Sequence, residues 1–245
     1  MTISLAAEKI FEIGGFPVTN SLLTSWLVMA FLVILSVFVA LRIKLVPGGL
    51  QNVVEFMVES LLNLVVSVSG HNGRRFFGFV ATFFFFILFS NWAGLLPGVG
   101  SVGFWEEAEG HRLFIPFLRA GTSDLNTTLA LALIAMGAIH SLGLNDLGLF
   151  KYVAKYIKNP IKDPMGAIVV FLEIILEFAK ILSFSFRLFG NVFAGEVLLI
   201  VVAFLVPVFV PFPFLGLEIF VGFIQALVFM LLTLIFINMA VAKTH

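Results

Sequence analysis

Long apolar runs, broken at intervals by short charged or Pro-Gly clusters, dominate this chain. A bilayer core about 30 Å thick needs roughly 20 apolar residues per crossing helix. The stretch from Ser21 to Leu41 meets that requirement and stops at Arg42 and Lys44. Residues 76–96 make a second span, opened by Arg74 and Arg75 and closed by Pro97-Gly98. A third runs from 123 to 143. After it come a basic loop (Lys151, Lys155, Lys158, Lys162) and an apolar stretch from 165 to 206. Pro207, Pro211 and Pro213 then break the chain before a last run, 214–242. Residues 51–69 read differently, because Glu55 and Glu59 sit four apart on an otherwise apolar helix, which suits the membrane interface.

The pattern predicts an all-α integral membrane protein of one domain, with five membrane-crossing helices plus an interfacial amphipathic helix. At ~1.5 Å per residue, 165–206 would be about 60 Å long as one helix, twice the hydrocarbon thickness. It must tilt steeply or break. Two over-long helices joined at prolines predict a long tilted C-terminal helical hairpin laid against another object in the membrane.

Composition agrees: of 245 residues, 61% are hydrophobic and 11% charged, with 31 Phe. A soluble domain is about 25% charged, so a soluble enzyme is excluded. Basic and acidic residues cancel, leaving no net field for nucleic acid. The absence of Cys removes disulfides and thiolate metal sites. No basic region opens the chain, so no cleavable signal is expected. With the N-terminus outside, the inner segments hold Arg42, Lys44, Arg74, Arg75, the four loop lysines and Lys243. Only Lys9, Arg112 and Arg119 fall outside, so the positive-inside rule favours an outer N-terminus and a cytoplasmic C-terminus.

The candidate chemistry lies in the hairpin. Glu173, Glu177, Lys180, Arg187 and Asn191 fall within about 80° of one helix face. Glu177 and Lys180, at i and i+3, are as readily a structural ion pair as a functional one. Arg187 differs, because its nearest acidic neighbour on that face is ten residues away and guanidinium keeps its proton. A fixed charge in mid-membrane needs a carboxylate from elsewhere. Glu196 points roughly the opposite way from Arg187. On the last helix Glu218, Gly222 and Gln225 share a face. Folding the hairpin near 206–207 puts Glu196 level with Glu218, and Arg187 level with Gln225. Two carboxylates in one layer cannot both ionise cheaply, which suits proton relay. Independent solvation of each remains the alternative.

Other signals carry less. Gly98-Val-Gly-Ser-Val-Gly103 matches GxGxxG but follows a transmembrane helix rather than a strand. His140, the one histidine in a span, reads as a bundle hydrogen bond. Asp124 and Asn126 read as helix caps first and channel lining second. No cofactor or metal site is expected.

At 183–196, SFSFRLFGNVFAGE resembles subunit a of F-type ATP synthases, the stator proton-channel subunit. RFFGFVATFFFFILFSNWAGLLPG at 75–98, TSDLNTT at 122–128, LEIILEFAK at 172–180 and FVGFIQALVFMLLT at 220–233 resemble that family's motifs in order. The resemblance implies two offset aqueous half-channels reaching a rotating ring of c subunits, each with one carboxylate. It implies that Arg187 faces the ring, with Gln225 and Asn191 nearby, and that Glu196 and Glu218 line the outer half-channel. Glu173 and Glu177 are weaker candidates for the inner path. Implied partners are the c-ring, the b subunits of the peripheral stalk and the rest of the synthase, with H⁺ or Na⁺ as the ion. The expected location is a bacterial plasma (inner) membrane. Two departures stand out: Ile181 replaces a frequent Pro six residues before the Arg, and the outer pair is Glu with Glu where the family often has His with Glu. A secondary proton- or sodium-coupled transporter, or a purely structural subunit, are the competing readings. The missing internal repeat disfavours the transporter.

Overall fold

In the computed structural model, residues 7–242 are described except 47, 97, 101, 109, 110, 151, 153–163, 207 and 208. The four loop lysines, Pro207 and Lys243 lie outside the described residues. Each apolar run becomes a helix, because in lipid the backbone must satisfy its own hydrogen bonds. The helices are α1 (Asn20–Leu41), α2 (Gly49–Ser69), α3 (Gly73–Gly94), α4 (Leu125–Leu147), α5 (Pro164–Leu205) and α6 (Pro211–Val241). Thr19 caps α1, its hydroxyl accepting from the Leu22 amide at 3.3 Å. Asp124 caps α4 by accepting from the Asn126 amide at 3.0 Å, the capping role read from its position.

Two segments expected to be irregular carry short hairpins. β1 (Lys9–Ile13) pairs with β2 (Phe16–Thr19) just before α1, and β3 (Gly103–Ala108) pairs with β4 (His111–Pro116) between α3 and α4. The first turns at Gly14 and Gly15, both at positive φ, where glycine is favoured. The GxGxxG run therefore leads into a hairpin, not a nucleotide-binding helix.

Side-chain contacts order the helix ends. At one end, Asn91 of α3 donates to the Gly222 carbonyl of α6 at 3.2 Å, and Trp92 donates to that of Ile219 at 3.1 Å. Asn20, at the start of α1, donates to the Pro116 carbonyl at the same end. At the opposite end, Arg75 of α3 makes a two-pronged pair with Asp146 of α4, both contacts 2.7 Å. There Asn238 of α6 also donates to Ser69 of α2 at 2.7 Å. α1, α3, α4, α5 and α6 thus alternate in direction. α2 starts beyond the far end of α1 and finishes where α3 starts, so both its ends lie on one side. By length and composition all six helices could cross a membrane. The connectivity explains why α2, with Glu55 and Glu59, need not.

α5 is one unbroken helix of 42 residues. Its excess over the hydrocarbon thickness is therefore not met by a break in the helix. Phe76, Phe84, Ile87, Leu188, Phe229 and Met230 form the heart of the core between α3, α5 and α6. The segment between β4 and α4 lies outside the α-helices, with a single 3-10 turn at Gly121–Ser123, yet is buried from Arg119 to Asp124. Such backbone is tolerated at depth only where protein surrounds it. Glycines make room for it. A Cβ on Gly94 would lie 2.5 Å from the Ala120 Cβ and 3.0 Å from its Cα, atoms that cannot swing aside. Gly94→Ala is therefore expected to displace this segment and lower the thermal midpoint of the detergent-purified protein. An unchanged midpoint would contradict that packing.

Candidate functional site

Two polar zones border α5, one towards each end of the bundle. The first is a cavity of about 190 Å³ lined by Asn91, Arg119, Glu196, Glu218, Gly222 and Gln225 among others. Liquid water takes about 30 Å³ per molecule, so several fit, and the lining has polar groups to hold them. α5 and α6 pack antiparallel here through a glycine. A Cβ on Gly195 would sit 2.1 Å from the Glu218 Oε2, so the carboxyl group occupies the space that Gly195 leaves. Glu218 is buried, and among the described residues no Lys, Arg or His lies within ion-pair distance of it. Gln225, also buried, accepts from the Asn191 side-chain amide at 2.8 Å.

Glu196 and Glu218 share this cavity, but the sharing differs from the pairing expected from sequence. Glu196 turns to Arg119, whose Nε lies 3.0 Å and 3.1 Å from its two carboxylate oxygens. Arg119 is only 7% exposed and lies over the Phe193 ring, 6.0 Å from its centroid. Sequence placed Arg119 in an outer loop. The available signal was a lone arginine between the apolar run 113–118 and the small residues of 120–123. Its partner is 77 positions away, and no local spacing points to it.

The second zone lies between α4 and α5 at the other end. Glu177 accepts from Lys180 at 2.8 Å, the i, i+3 pair foreseen from sequence. Its other oxygen is buried without a hydrogen-bond partner, 3.8 Å from His140 Nε2. The His140 Nδ1 is 2.6 Å from the Tyr152 hydroxyl. The bundle hydrogen bond expected of His140 therefore exists, and its far side faces a carboxylate. Lys180 also lies over the Phe236 ring at 4.9 Å. Glu173, one turn further along, is half-buried.

Between the zones Phe84, Phe184, Leu188, Phe229 and Met230 fill the space between α3, α5 and α6. Ser185 and Thr128 satisfy each other there at 3.1 Å. Among the described residues this layer is apolar apart from Ser185 and Thr128. Arg187 sits level with it but on the outer surface of the bundle. Its side chain is exposed, donates to Ser183 Oγ at 3.2 Å, and pairs with no carboxylate among the described residues. Asn191, rather than Arg187, is the residue hydrogen-bonded to Gln225. The five-residue stripe is thus not uniform: Glu173, Glu177 and Lys180 are partly buried, whereas Arg187 and Asn191 are exposed. Along α5, Arg187 is about 15 Å from Glu177 and about 13 Å from Glu196, at ~1.5 Å per residue. It stands midway between the zones. Among the described residues no cluster of His, Asp and Glu could hold a metal ion.

The chain matches the sequence model of the family described as ATP synthase A chain over residues 22–238. It is 38% identical to ATP synthase subunit a of Geotalea uraniireducens, covering 90% of this chain and 87% of that protein. It is 34% identical to subunit a of Trichlorobacter lovleyi, over 92% and 89% of the two chains. With ATP synthase subunit a 3 of Pelobacter propionicus it shares 36% identity, over 90% and 87%.

Proposed function

The chain belongs to the ATP synthase A chain family, and from that premise we propose a residue-level account of ion translocation by its multi-pass membrane fold. The observation that carries the account is the exposed Arg187, without a carboxylate partner among the described residues, midway between two polar zones separated by the apolar core. A path broken inside one chain can be completed by a partner that carries the ion past the break. The c-ring, with one carboxylate per subunit, is that partner, and the exposed face of α5 around Arg187 and Asn191 is where it runs. The b subunits hold this chain stationary against the ring.

A proton enters from outside through the cavity of Glu196 and Glu218 and neutralises a ring carboxylate. The neutral acid travels through lipid at low cost, whereas the ionised one would not. On its return it meets Arg187, whose permanent charge favours the carboxylate, so the proton leaves towards Glu177 and Glu173 on the cytoplasmic side. Arg187 also repels a proton trying to pass directly between the zones, and the Asn191–Gln225 bond fixes the helix faces beside it. Each charge moved across 100 mV releases about 2.3 kcal/mol, which rotation delivers to a catalytic head. The segregation of basic residues favours an outer N-terminus and a cytoplasmic C-terminus, in a bacterial plasma membrane. Ring residues decide between H⁺ and Na⁺.

ATP-driven acidification of inverted vesicles containing the intact complex tests this account. Glu177→Gln is expected to slow acidification by about a hundredfold, the lower end of the range for loss of a positioned proton-transfer group. It should leave ATP hydrolysis by the detached catalytic head unchanged. Undiminished acidification would remove Glu177 from the inner path.

A further inference from the structure

We infer that Arg119 is a positioning residue of the outer cavity. It supplies the counter-charge of Glu196 and holds that side chain in place, so that proton traffic there passes through Glu218. This rests on the proton-path reading of the same cavity and assigns unequal roles to its two carboxylates.

Among the described residues, the titratable groups lining the cavity are Arg119 from the segment before α4, Glu196 from α5 and Glu218 from α6. α3 contributes Asn91, and α6 also contributes Gln225, neither of which titrates near neutral pH. One fixed positive charge can compensate one carboxylate, and the second is then neutral only with a proton on it. Geometry decides which carboxylate is which. Arg119 Nε contacts both oxygens of Glu196, whereas Glu218 lies against Gly195 without a basic neighbour within ion-pair distance among the described residues. One proton per cycle is what this arrangement admits, and Glu218 is its carrier.

The ion pair is also built to stay. The Arg119 amide donates to Thr24 Oγ1 of α1 at 3.2 Å. The following segment is buried, with Gly121 so close to α1 that a Cβ there would lie 2.5 Å from Ser25 Oγ. A guanidinium on a surface loop would lose entropy on pairing and gain little. Here the backbone is already fixed, and the side chain is almost wholly enclosed. The pair joins the segment before α4 to a helix that faces the ring, and so sets where Glu196 stands in the cavity.

If Arg119 acts through Glu196, the two substitutions must be strongly non-additive. In inverted vesicles with the complete complex, Arg119→Gln leaves the partly buried Glu196 carboxylate uncompensated and should cut ATP-driven proton pumping at least about tenfold. Arg119→Gln combined with Glu196→Gln removes both charges together. Pumping by the double variant should recover to at least the level of Glu196→Gln alone, and Arg119→Lys should retain more than Arg119→Gln. If Arg119→Gln does not assemble, recovery of assembly and pumping in the double variant supports the inference equally. A double variant that pumps less than Glu196→Gln alone overturns it, because Arg119 would then be needed independently of Glu196. Normal pumping by Arg187→Ala in the same assay would instead overturn the path itself. Failed rescue with pumping still dependent on Arg187 rejects only the role given to Arg119.

Discussion

Arg187→Ala is expected to abolish ATP-driven proton pumping while the complex still assembles. The two halves of that expectation have separate physical grounds. Assembly survives because Arg187 is exposed and its hydrogen bond is to Ser183 on its own helix, so little packing is lost. Pumping fails because no other described cation can take its place. Lys180 is engaged by Glu177 at 2.8 Å, and Arg119 by Glu196 on another face of α5. Without a fixed charge at mid-depth, a returning ring acid has no reason to release its proton on one side rather than the other. Acidification of inverted vesicles, with assembly checked by co-purification, measures both halves. Normal acidification would make Arg187 structural.

Glu218→Gln should have the next largest effect, lowering pumping by about 10²–10⁴-fold, the usual contribution of a positioned proton-transfer group. The substitution keeps size and hydrogen bonding but removes the titrating oxygen. Its neighbour offers an independent check. Gly195→Ala leaves Glu218 intact yet puts a methyl group where the carboxyl now lies, 2.1 Å from Oε2. The carboxyl group must swing away, and pumping should fall steeply. Adding Glu218→Asp, which shortens the side chain by one methylene, should restore part of the loss. If Gly195→Ala pumps normally, the close approach of α5 and α6 at this level has no functional weight.

Much of this was legible in the amino-acid order, because lipid imposes a simple rule. Apolar runs must be helices, and the six runs became α1–α6 with ends shifted by a few residues. The length of α5 and the prolines after it announced a long helical hairpin. Charges inside such runs are costly, so Arg187, Glu196 and Glu218 stand out in the sequence. Arg119 did not. It sits in a stretch that looks like an ordinary loop, and its burial arises only when α1, α3 and α5 close around residues 119–124. The inner cluster was half visible: Glu177 and Lys180 are local in sequence, whereas His140 and Tyr152 reach it by tertiary packing. The hairpins β1–β2 and β3–β4 were missed because a few alternating residues beside long apolar helices leave too short a pattern to read.

The central claim is that this chain provides two dead-end paths, one from each side, with Arg187 between them. The natural chain has no cysteine, so a single introduced thiol is unique in this subunit. Thiols placed at Val221 and Leu199, which line the outer cavity, and at Glu173 and Glu177 can be probed in the intact complex with a charged, membrane-impermeant reagent. The account predicts that Val221→Cys and Leu199→Cys react only from the outer side, and that Glu173→Cys and Glu177→Cys react only from the cytoplasmic side. Reaction of any one of these thiols from both sides would mean a continuous pore and would contradict it.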